Sequence, residues 1–334
     1  MQSIPPGPPL RVVLASPRGF CAGVERAIET VERALIMHGA PVYVRHEIVH
    51  NARVCAELRE KGAIFVEDLA DVPPRSVLIY SAHGVPISVE TAADAAGHRV
   101  IDATCPLVAK VHKNGRRYAA EGRQVILIGH RGHVEVEGTL GQVEAEVATV
   151  ASVAEVEALP FPRDARIAYI TQTTLSVSDT RAVIEAIAAR WPDTVGPETR
   201  DICYATQNRQ EAVRAIAADV ELILIVGARN SSNSNRLVEI AAAAGCAAHL
   251  VPEPGDLDPA WLEGVTRLGI SAGASAPESL VRETVARLAA WREITVETRE
   301  GVREDIAFRL PRTVDDAAMD THLCNAPPIS RAAG

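Results

Sequence analysis

The chain has 334 residues, with 34 Lys and Arg against 43 Asp and Glu, a net charge of −9; 47% of residues are hydrophobic and 23% are charged. This length allows two or three compact domains with a sizeable core, and the composition excludes a largely disordered chain. The acidic balance argues against a nucleic-acid binder, and the longest uncharged apolar stretch, residues 240–251, is too short to cross a membrane.

Strand and helix patterns alternate along the chain after a Pro-rich leader, residues 1–10. Short apolar runs, each typical of a buried parallel strand, occupy residues 11–15, 77–80, 125–128, 167–170, 222–226 and 267–270. Most are followed by an amphipathic helical pattern, which predicts an α/β fold with parallel sheets. Residues 293–298 and 306–310 are interpreted as a closing pair of strands, and 311–334 as a mobile tail.

One cysteine lies at a predicted helix start in each third of the chain: Cys21, Cys105 and Cys203. We therefore divide the chain into three α/β units of similar size, residues 11–104, 105–200 and 201–310. Six scattered cysteines do not form a disulfide scaffold in a chain of this length, so a reduced, cytoplasmic setting is expected.

The segments that follow the predicted strands are rich in small and polar residues. Ligands of open α/β sheets lie beyond the carboxyl ends of the strands, where small residues let the backbone approach them. Six such segments predict a shared pocket, although each one alone could be an ordinary polar turn. In chain order they are SPRGFCAG, SAHGV, GHRGHVE, TQTTLS, GARNSSNSN and SAGASAP.

The three helix-start cysteines are candidate metal ligands, because a helix N-terminus lowers the pKa of a thiol. The chain lacks the short Cys pairs typical of zinc sites. Three distant thiolates instead fit an iron–sulfur cluster at a domain junction, with one iron left open to bind substrate. The alternative is that all three are buried structural cysteines, as we expect for Cys55 and Cys246, while Cys324 lies in the tail.

Other polar residues in these loops are candidate ligands of an anion. Imidazoles, hydroxyls and amides can donate hydrogen bonds to phosphate oxygens, although a lone loop histidine is more often structural or solvated. Glu135 is the best proton-donor candidate and Thr173 and Thr174 could act beside it; alternatively, these are a solvated carboxylate and strand-end residues. The candidate anion ligands are His50, His83, His133, Ser231, Ser232, Asn233 and Ser275.

No dinucleotide or P-loop glycine motif follows a strand, so electrons, if needed, would come from another protein. Residues 110–118, KVHKNGRRY, are locally basic and could dock an acidic electron carrier. A basic run of this kind is otherwise a solvated helix face.

These motifs, in this order, resemble the 4-hydroxy-3-methylbut-2-enyl diphosphate reductase (LytB/IspH) family from about Arg11 to about Leu310. The motifs that carry the resemblance are PRGFCAGV, VRHEIVHN, SAHGV, DATCPLV, GHRGHVEVEGT, TQTTLS, DICYATQNRQ, NSSNSNRL and AGASAPE. Every site position carries the expected residue type. Only the leader and the tail fall outside the resemblance.

The resemblance implies a trefoil of three α/β units around a central 4Fe–4S cluster held by Cys21, Cys105 and Cys203. It implies that the histidines and the Ser/Asn donors hold the substrate's diphosphate, with Glu135 as proton source and Thr173 at the substrate hydroxyl. The implied reaction uses two electrons, from ferredoxin or flavodoxin, and two protons. It removes the hydroxyl as water and yields isopentenyl and dimethylallyl diphosphate. A cluster-bearing sensor and a zinc-dependent diphosphate hydrolase remain as alternatives.

Overall fold

A computed structural model describes residues 7–197 and 201–315. Its strands are β1 (Leu10–Ala15), β2 (Val42–Arg45), β3 (Ala63–Val66), β4 (Val77–Tyr80), β5 (Arg99–Asp102), β6 (Gln124–Ile128), β7 (Val147–Val150), β8 (Ile167–Thr171), β9 (Leu222–Val226), β10 (Ala247–Val251), β11 (Arg267–Ala272) and β12 (Ile294–Arg299). Its helices are α1 (Ala22–His38), α2 (Ala52–Glu60), α3 (Ile87–Ala95), α4 (Pro106–Ala120), α5 (Val134–Gly141), α6 (Val153–Glu157), α7 (Val177–Arg190), α8 (Tyr204–Ala217), α9 (Ser232–Ala243), α10 (Glu278–Ala289) and α11 (Arg312–Asp315). Short 3₁₀ turns lie at Leu69–Asp71, Pro254–Asp256 and Pro259–Leu262.

The strands form three separate parallel sheets, which confirms the predicted α/β trefoil. The first sheet has the order β3-β2-β4-β5, the second β7-β6-β8 and the third β10-β9-β11-β1-β12. All of their strand pairs are parallel. All six apolar runs predicted from the sequence are strands, extended at most by one or two residues.

Strand β9 shows why these runs are continuously apolar. All five of its residues are buried. Leu222, Leu224 and Val226 face one apolar cluster, which includes residues of α10, whereas Ile223 and Ile225 face another, which includes residues of α8 and α9. A parallel sheet covered by helices on both faces has no solvent side, so alternation of polar and apolar residues is lost.

Strand β1 pairs outside the unit to which the sequence assigned it. Val12 lies opposite Leu268 of β11 on one side and Val296 of β12 on the other. The strand therefore belongs to the third sheet, whereas α1, which follows it, packs against the core of the first unit. The chain crosses between two units at Cys21, and the proposed unit boundaries near residues 104 and 200 remain predictions.

Of the two strands expected to form a closing pair, the structure contains only the first. Residues 293–298 correspond to β12, but 306–310 have no regular structure among the described residues. This segment instead runs across the units, with Phe308 on a central cavity and Leu310 against the core of the first unit. Val314, in α11, is fully buried, so the described part of the predicted tail is packed rather than mobile. Cys324 lies outside the described residues.

Candidate active site

The three predicted cysteines cap three helices around one central cavity. Cys21, Cys105 and Cys203 are the N-cap residues of α1, α4 and α8. All three line a cavity that encloses about 760 Å³ of space not filled by protein atoms, including its mouth. The trefoil thus brings together residues from all three thirds of the chain.

Gly23 shows how closely two of these thiols approach. A Cβ atom at Gly23 would lie 2.8 Å from Sγ of Cys105 and 3.8 Å from Sγ of Cys21. Only a residue without a side chain therefore fits between the two sulfur atoms. Within residues 7–197 and 201–315, however, no three His, Cys, Asp or Glu side chains converge as ligands of a single metal ion.

Burial governs the protonation of the thiols. It raises the pKa of Cys21, raises that of Cys105 to about 12 and raises that of Cys203 to about 11. The expectation that the helix N-termini would lower these pKa values is wrong for the protein alone, because desolvation outweighs the helix dipole. The thiols are protonated near neutral pH, so a metal must displace their protons when it binds.

Three histidines form a second group on the cavity wall. The rings of His50 and His83 are stacked with centroids 4.2 Å apart, and the ring of His133 lies 5.3 Å and 6.2 Å from them. Burial and the neighbouring imidazoles lower the pKa of His83 well below its usual value and lower that of His133 to about 4. Both rings are therefore neutral at pH 7.

Hydrogen bonds define which ring nitrogens remain for a ligand. Nδ1 of His133 accepts from the backbone N–H of Glu135 at 3.2 Å, which leaves the ring proton on Nε2. The Nε2 atoms of His133 and His50 are buried and have no hydrogen-bond partner among residues 7–197 and 201–315. Buried polar atoms are nearly always hydrogen-bonded, so these two nitrogens are positioned for a polar ligand.

Glu135 is a buried carboxyl group held by a single residue, Thr173. Its side chain accepts a hydrogen bond from the backbone N–H of Thr173 at 2.7 Å and another from the Thr173 hydroxyl at 2.9 Å. The residue is 3% exposed. Burial raises the pKa of Glu135 despite these hydrogen bonds. A carboxyl of this kind holds a proton that it can donate into the cavity.

The remaining predicted residues lie at two loop ends beside the cavity. Ser231 caps α9 and accepts from the backbone N–H of Ser234, while Ser232 accepts from Thr174 at 3.0 Å. Asn233 accepts from the backbone N–H of Ala274 at 2.9 Å. The Ser275 hydroxyl donates to the carbonyl of His50 at 2.9 Å. All four predicted donors, Ser231, Ser232, Asn233 and Ser275, line the cavity.

Several cavity residues were not singled out from the sequence. The hydroxyl of Tyr204 accepts from the backbone N–H of Ala22 at 3.2 Å. Thr206 lies one helical turn after Cys203, and its hydroxyl is 3.1 Å from Sγ of that cysteine. This i, i+3 spacing from Cys203 could have identified Thr206 as a cavity residue from the sequence alone. No sequence pattern identifies Phe308 as a cavity residue, because only the path of the irregular segment brings it there.

The basic segment of residues 110–118 lies on α4. Lys110, Lys113, Arg116 and Arg117 are exposed, whereas Val111, His112, Gly115 and Tyr118 face the interior. The helix is therefore amphipathic, with a cationic outer face. No helix within the described ranges is both long and apolar enough to cross a membrane.

Comparison with solved structures supports the trefoil. The chain superimposes with a TM-score of 0.90 on the E-1-hydroxy-2-methyl-but-2-enyl-4-diphosphate reductase of Plasmodium falciparum. That protein is 38% identical, with 93% of this chain and 98% of the other covered. A second reductase structure, described as the terminal enzyme of the non-mevalonate pathway, gives a TM-score of 0.60 at 31% identity over 84% of this chain and 99% of the other.

Sequence comparison agrees over most of the chain. A 4-hydroxy-3-methylbut-2-enyl diphosphate reductase of Zymomonas mobilis is 55% identical over 305 residues, 91% of this chain and 90% of the relative. One of Bradyrhizobium diazoefficiens is 57% identical over 302 residues, 90% of this chain and 98% of the relative. The family model described as LytB protein matches residues 12–289. The chain therefore belongs to the LytB family.

Proposed function

We propose that this protein reduces 4-hydroxy-3-methylbut-2-enyl diphosphate, removing its hydroxyl group as water to give isopentenyl and dimethylallyl diphosphate. The observation that carries the proposal is one cavity lined by three thiols, by imidazoles with unpartnered nitrogens and by a buried acid. A redox group, an anion site and a proton donor are the three components that this reaction requires.

The thiols fit a 4Fe–4S cluster. Cys21, Cys105 and Cys203 would hold it, each thiolate on a different iron, which suits thiols that surround a space without converging on one point. The close approach of two sulfur atoms to Gly23 keeps the space between them free of side chains. When bound, the cluster would supply single-electron transfer and a Lewis-acidic iron without a thiolate.

The histidines and the α9 N-terminus suit a diphosphate. Nε2 of His133 would donate to its oxygens, together with Ser231, Ser232, Asn233 and Ser275, and Nε2 of His50 is a second buried ring nitrogen positioned for the same ligand. His83 lies within the same group of rings. The free backbone N–H groups in the first turn of α9 would add their dipoles. Because burial lowers the pKa values of His83 and His133, both rings are neutral before binding, and a bound diphosphate would raise those pKa values and favour protonation of the two rings.

Glu135 would donate the proton that converts the leaving hydroxyl into water. Its two hydrogen bonds to Thr173 fix the orientation of the carboxyl group. The Thr173 hydroxyl lies beside the carboxyl and lines the cavity, so it can also contact the substrate oxygen. Burial raises the pKa of the acid, which favours its protonated form, and excludes bulk water from the reacting groups.

The electrons would come from ferredoxin or flavodoxin. An acidic carrier would be complementary in charge to the cationic outer face of α4, which would then serve as its docking surface. This helix begins at Cys105, so a carrier on its outer face would lie within one helix length of the cluster. We expect the protein to act in the reducing cytoplasm, where thiols stay free.

The first experiment measures iron, acid-labile sulfide and the visible spectrum on protein purified without oxygen, followed by turnover of the substrate with a chemical reductant. We expect about four irons and four sulfides per chain and both products by mass spectrometry. A colourless protein that holds zinc and releases phosphate would favour a hydrolase. An intact cluster with substrate binding but no product would indicate a sensor.

A further inference from the structure

Each helix that begins at a cavity cysteine sends a polar side chain to the loop that leads into another cavity cysteine. On α1, Arg26 reaches the loop that ends in Cys105. Its guanidinium donates to the carbonyl of Thr104 at 3.0 Å and lies 3.5 Å from the carbonyl of Asp102. The Thr104 carbonyl belongs to the peptide bond that leads into Cys105, so this hydrogen bond fixes the plane of that peptide.

Helix α4 makes the equivalent contact with the loop before Cys203. The ammonium group of Lys110 lies 3.8 Å from the Asp201 carboxylate, and the Asn114 amide lies 3.5 Å from the same oxygen. The Asp201 side chain is only 1% exposed, whereas that of Lys110 is 47% exposed. The loop thus contributes a buried acid, and the helix of the preceding unit covers it with a cation and an amide.

Helix α8 closes the set by contacting the loop before Cys21. Arg209 is fully buried and donates to the carbonyl of Gly19 at 2.7 Å and to that of Phe20 at 3.0 Å. The Phe20 carbonyl lies in the peptide bond that leads into Cys21. Glu304, in the irregular segment after β12, balances the buried charge at 3.0 Å.

The three contacts follow one order. Each cation lies between one and two turns after its own cysteine. Each reaches the loop before the next cysteine in the chain, and the last reaches back to the first. We propose that Arg26, Lys110 and Arg209 form a closed positioning ring in which every cysteine-bearing helix holds the next cysteine in place.

The ring explains how three units with separate sheets can present thiols at a common geometry. A hydrogen bond to the peptide before Cys105 or Cys21 restrains the position of that sulfur atom directly. The ion pair of Lys110 with the Asp201 side chain restrains the loop two residues before Cys203. The purpose assigned to the ring rests on the proposed cluster. The restraint itself is a property of the protein alone and can be measured without iron.

The test measures the reactivity of each cysteine in the full-length protein after chelator treatment. A maleimide is added, and the labelling rate at each position is read by mass spectrometry. Arg26→Gln should speed labelling of Cys105 about tenfold, the change expected for loss of a charge-assisted hydrogen bond, while Cys21 on its own helix changes little. Arg26→Lys should restore most of the protection.

Matched controls separate this effect from general loosening. Arg33→Gln removes a half-exposed cation from the same helix, where Arg33 pairs with Glu29, and should leave every labelling rate unchanged. Cys55, buried in the core of the first unit, reports opening of that unit. Lys110→Gln changes an exposed side chain, which is compatible with folding, and should speed labelling of Cys203 selectively.

The ring would be overturned by equal acceleration at Cys55 and the cavity cysteines, or by acceleration at the cysteine of the mutated helix instead of the next one. Unchanged rates in both Arg26→Gln and Lys110→Gln would do the same. Absence of iron and sulfide from the wild-type protein would refute the proposed cluster without altering these labelling rates, so the two failures are distinguishable.

Discussion

Replacement of Glu135 by Gln separates proton donation from structure. The amide has nearly the same shape, and its oxygen can still accept from the backbone N–H of Thr173. The second hydrogen bond must reverse, because the Thr173 hydroxyl now faces an NH₂ group and has to accept. The substitution thus keeps the packing of a residue that is 3% exposed and removes only its proton.

The expected magnitudes differ for activity and stability. General acid catalysis contributes about 10²- to 10⁴-fold, so turnover by Glu135→Gln should fall by at least about 100-fold with little change in KM. The free energy of unfolding, in contrast, should not fall and should rise at high pH. Because burial raises the pKa of Glu135, the unfolded chain releases this proton first as pH rises, and folded stability falls from about pH 4.5 through the raised pKa. The amide does not titrate, so the variant avoids this loss of stability and should be at least as stable as the wild-type protein at pH 8.

The assay is steady-state reduction with excess chemical reductant from pH 6 to 9, alongside thermal unfolding. Wild-type turnover should decline as pH rises through the pKa of Glu135. Glu137→Gln, on the exposed side of the same helix, is the control and should behave as wild type. Turnover by Glu135→Gln within threefold of wild type would refute the role of this carboxyl group as proton donor.

Three further predictions concern the thiols and the histidines. Cys105→Ser should abolish the visible absorbance and most bound iron, whereas Cys55→Ala, in the core of the first unit, should retain both. Gly23→Ala should lower iron per chain, because its methyl group would lie 2.8 Å from Sγ of Cys105, and the displacement forced by this contact should offset the helix-propensity gain of about 1 kcal/mol, so thermal stability should not rise. Because burial lowers the pKa of His133 from 6.5 to about 4, the unfolded chain gains this proton first as pH falls, so the free energy of unfolding should drop by up to about 3 kcal/mol between those values. A flatter pH dependence of unfolding in His133→Asn would support this assignment, and an unchanged one would contradict it.

Local features of the sequence determined much of the site. A strand followed by small residues and a helix start is encoded within about ten residues, so the sequence alone places Cys21, Cys105 and Cys203 at helix N-termini. The same local logic identified Glu135 and the loop histidines. Five strands were missed: β2, β3, β5, β7 and β10. Four of them lie at sheet edges, and each has at least two residues that are not buried, so they lack the continuous apolar run of the central strands.

Only the tertiary structure decided which elements meet. Strand β1 joins the third sheet through pairing with residues more than 250 positions away, and no local propensity specifies a partner at that distance. Residues 306–310 alternate like a strand but have no partner strand within the described residues, so they remain irregular and bring Phe308 to the cavity. The pKa values of the three thiols also depend on the tertiary structure. The helix N-terminus can be recognised from sequence, but the burial that outweighs it is a property of the assembled trefoil.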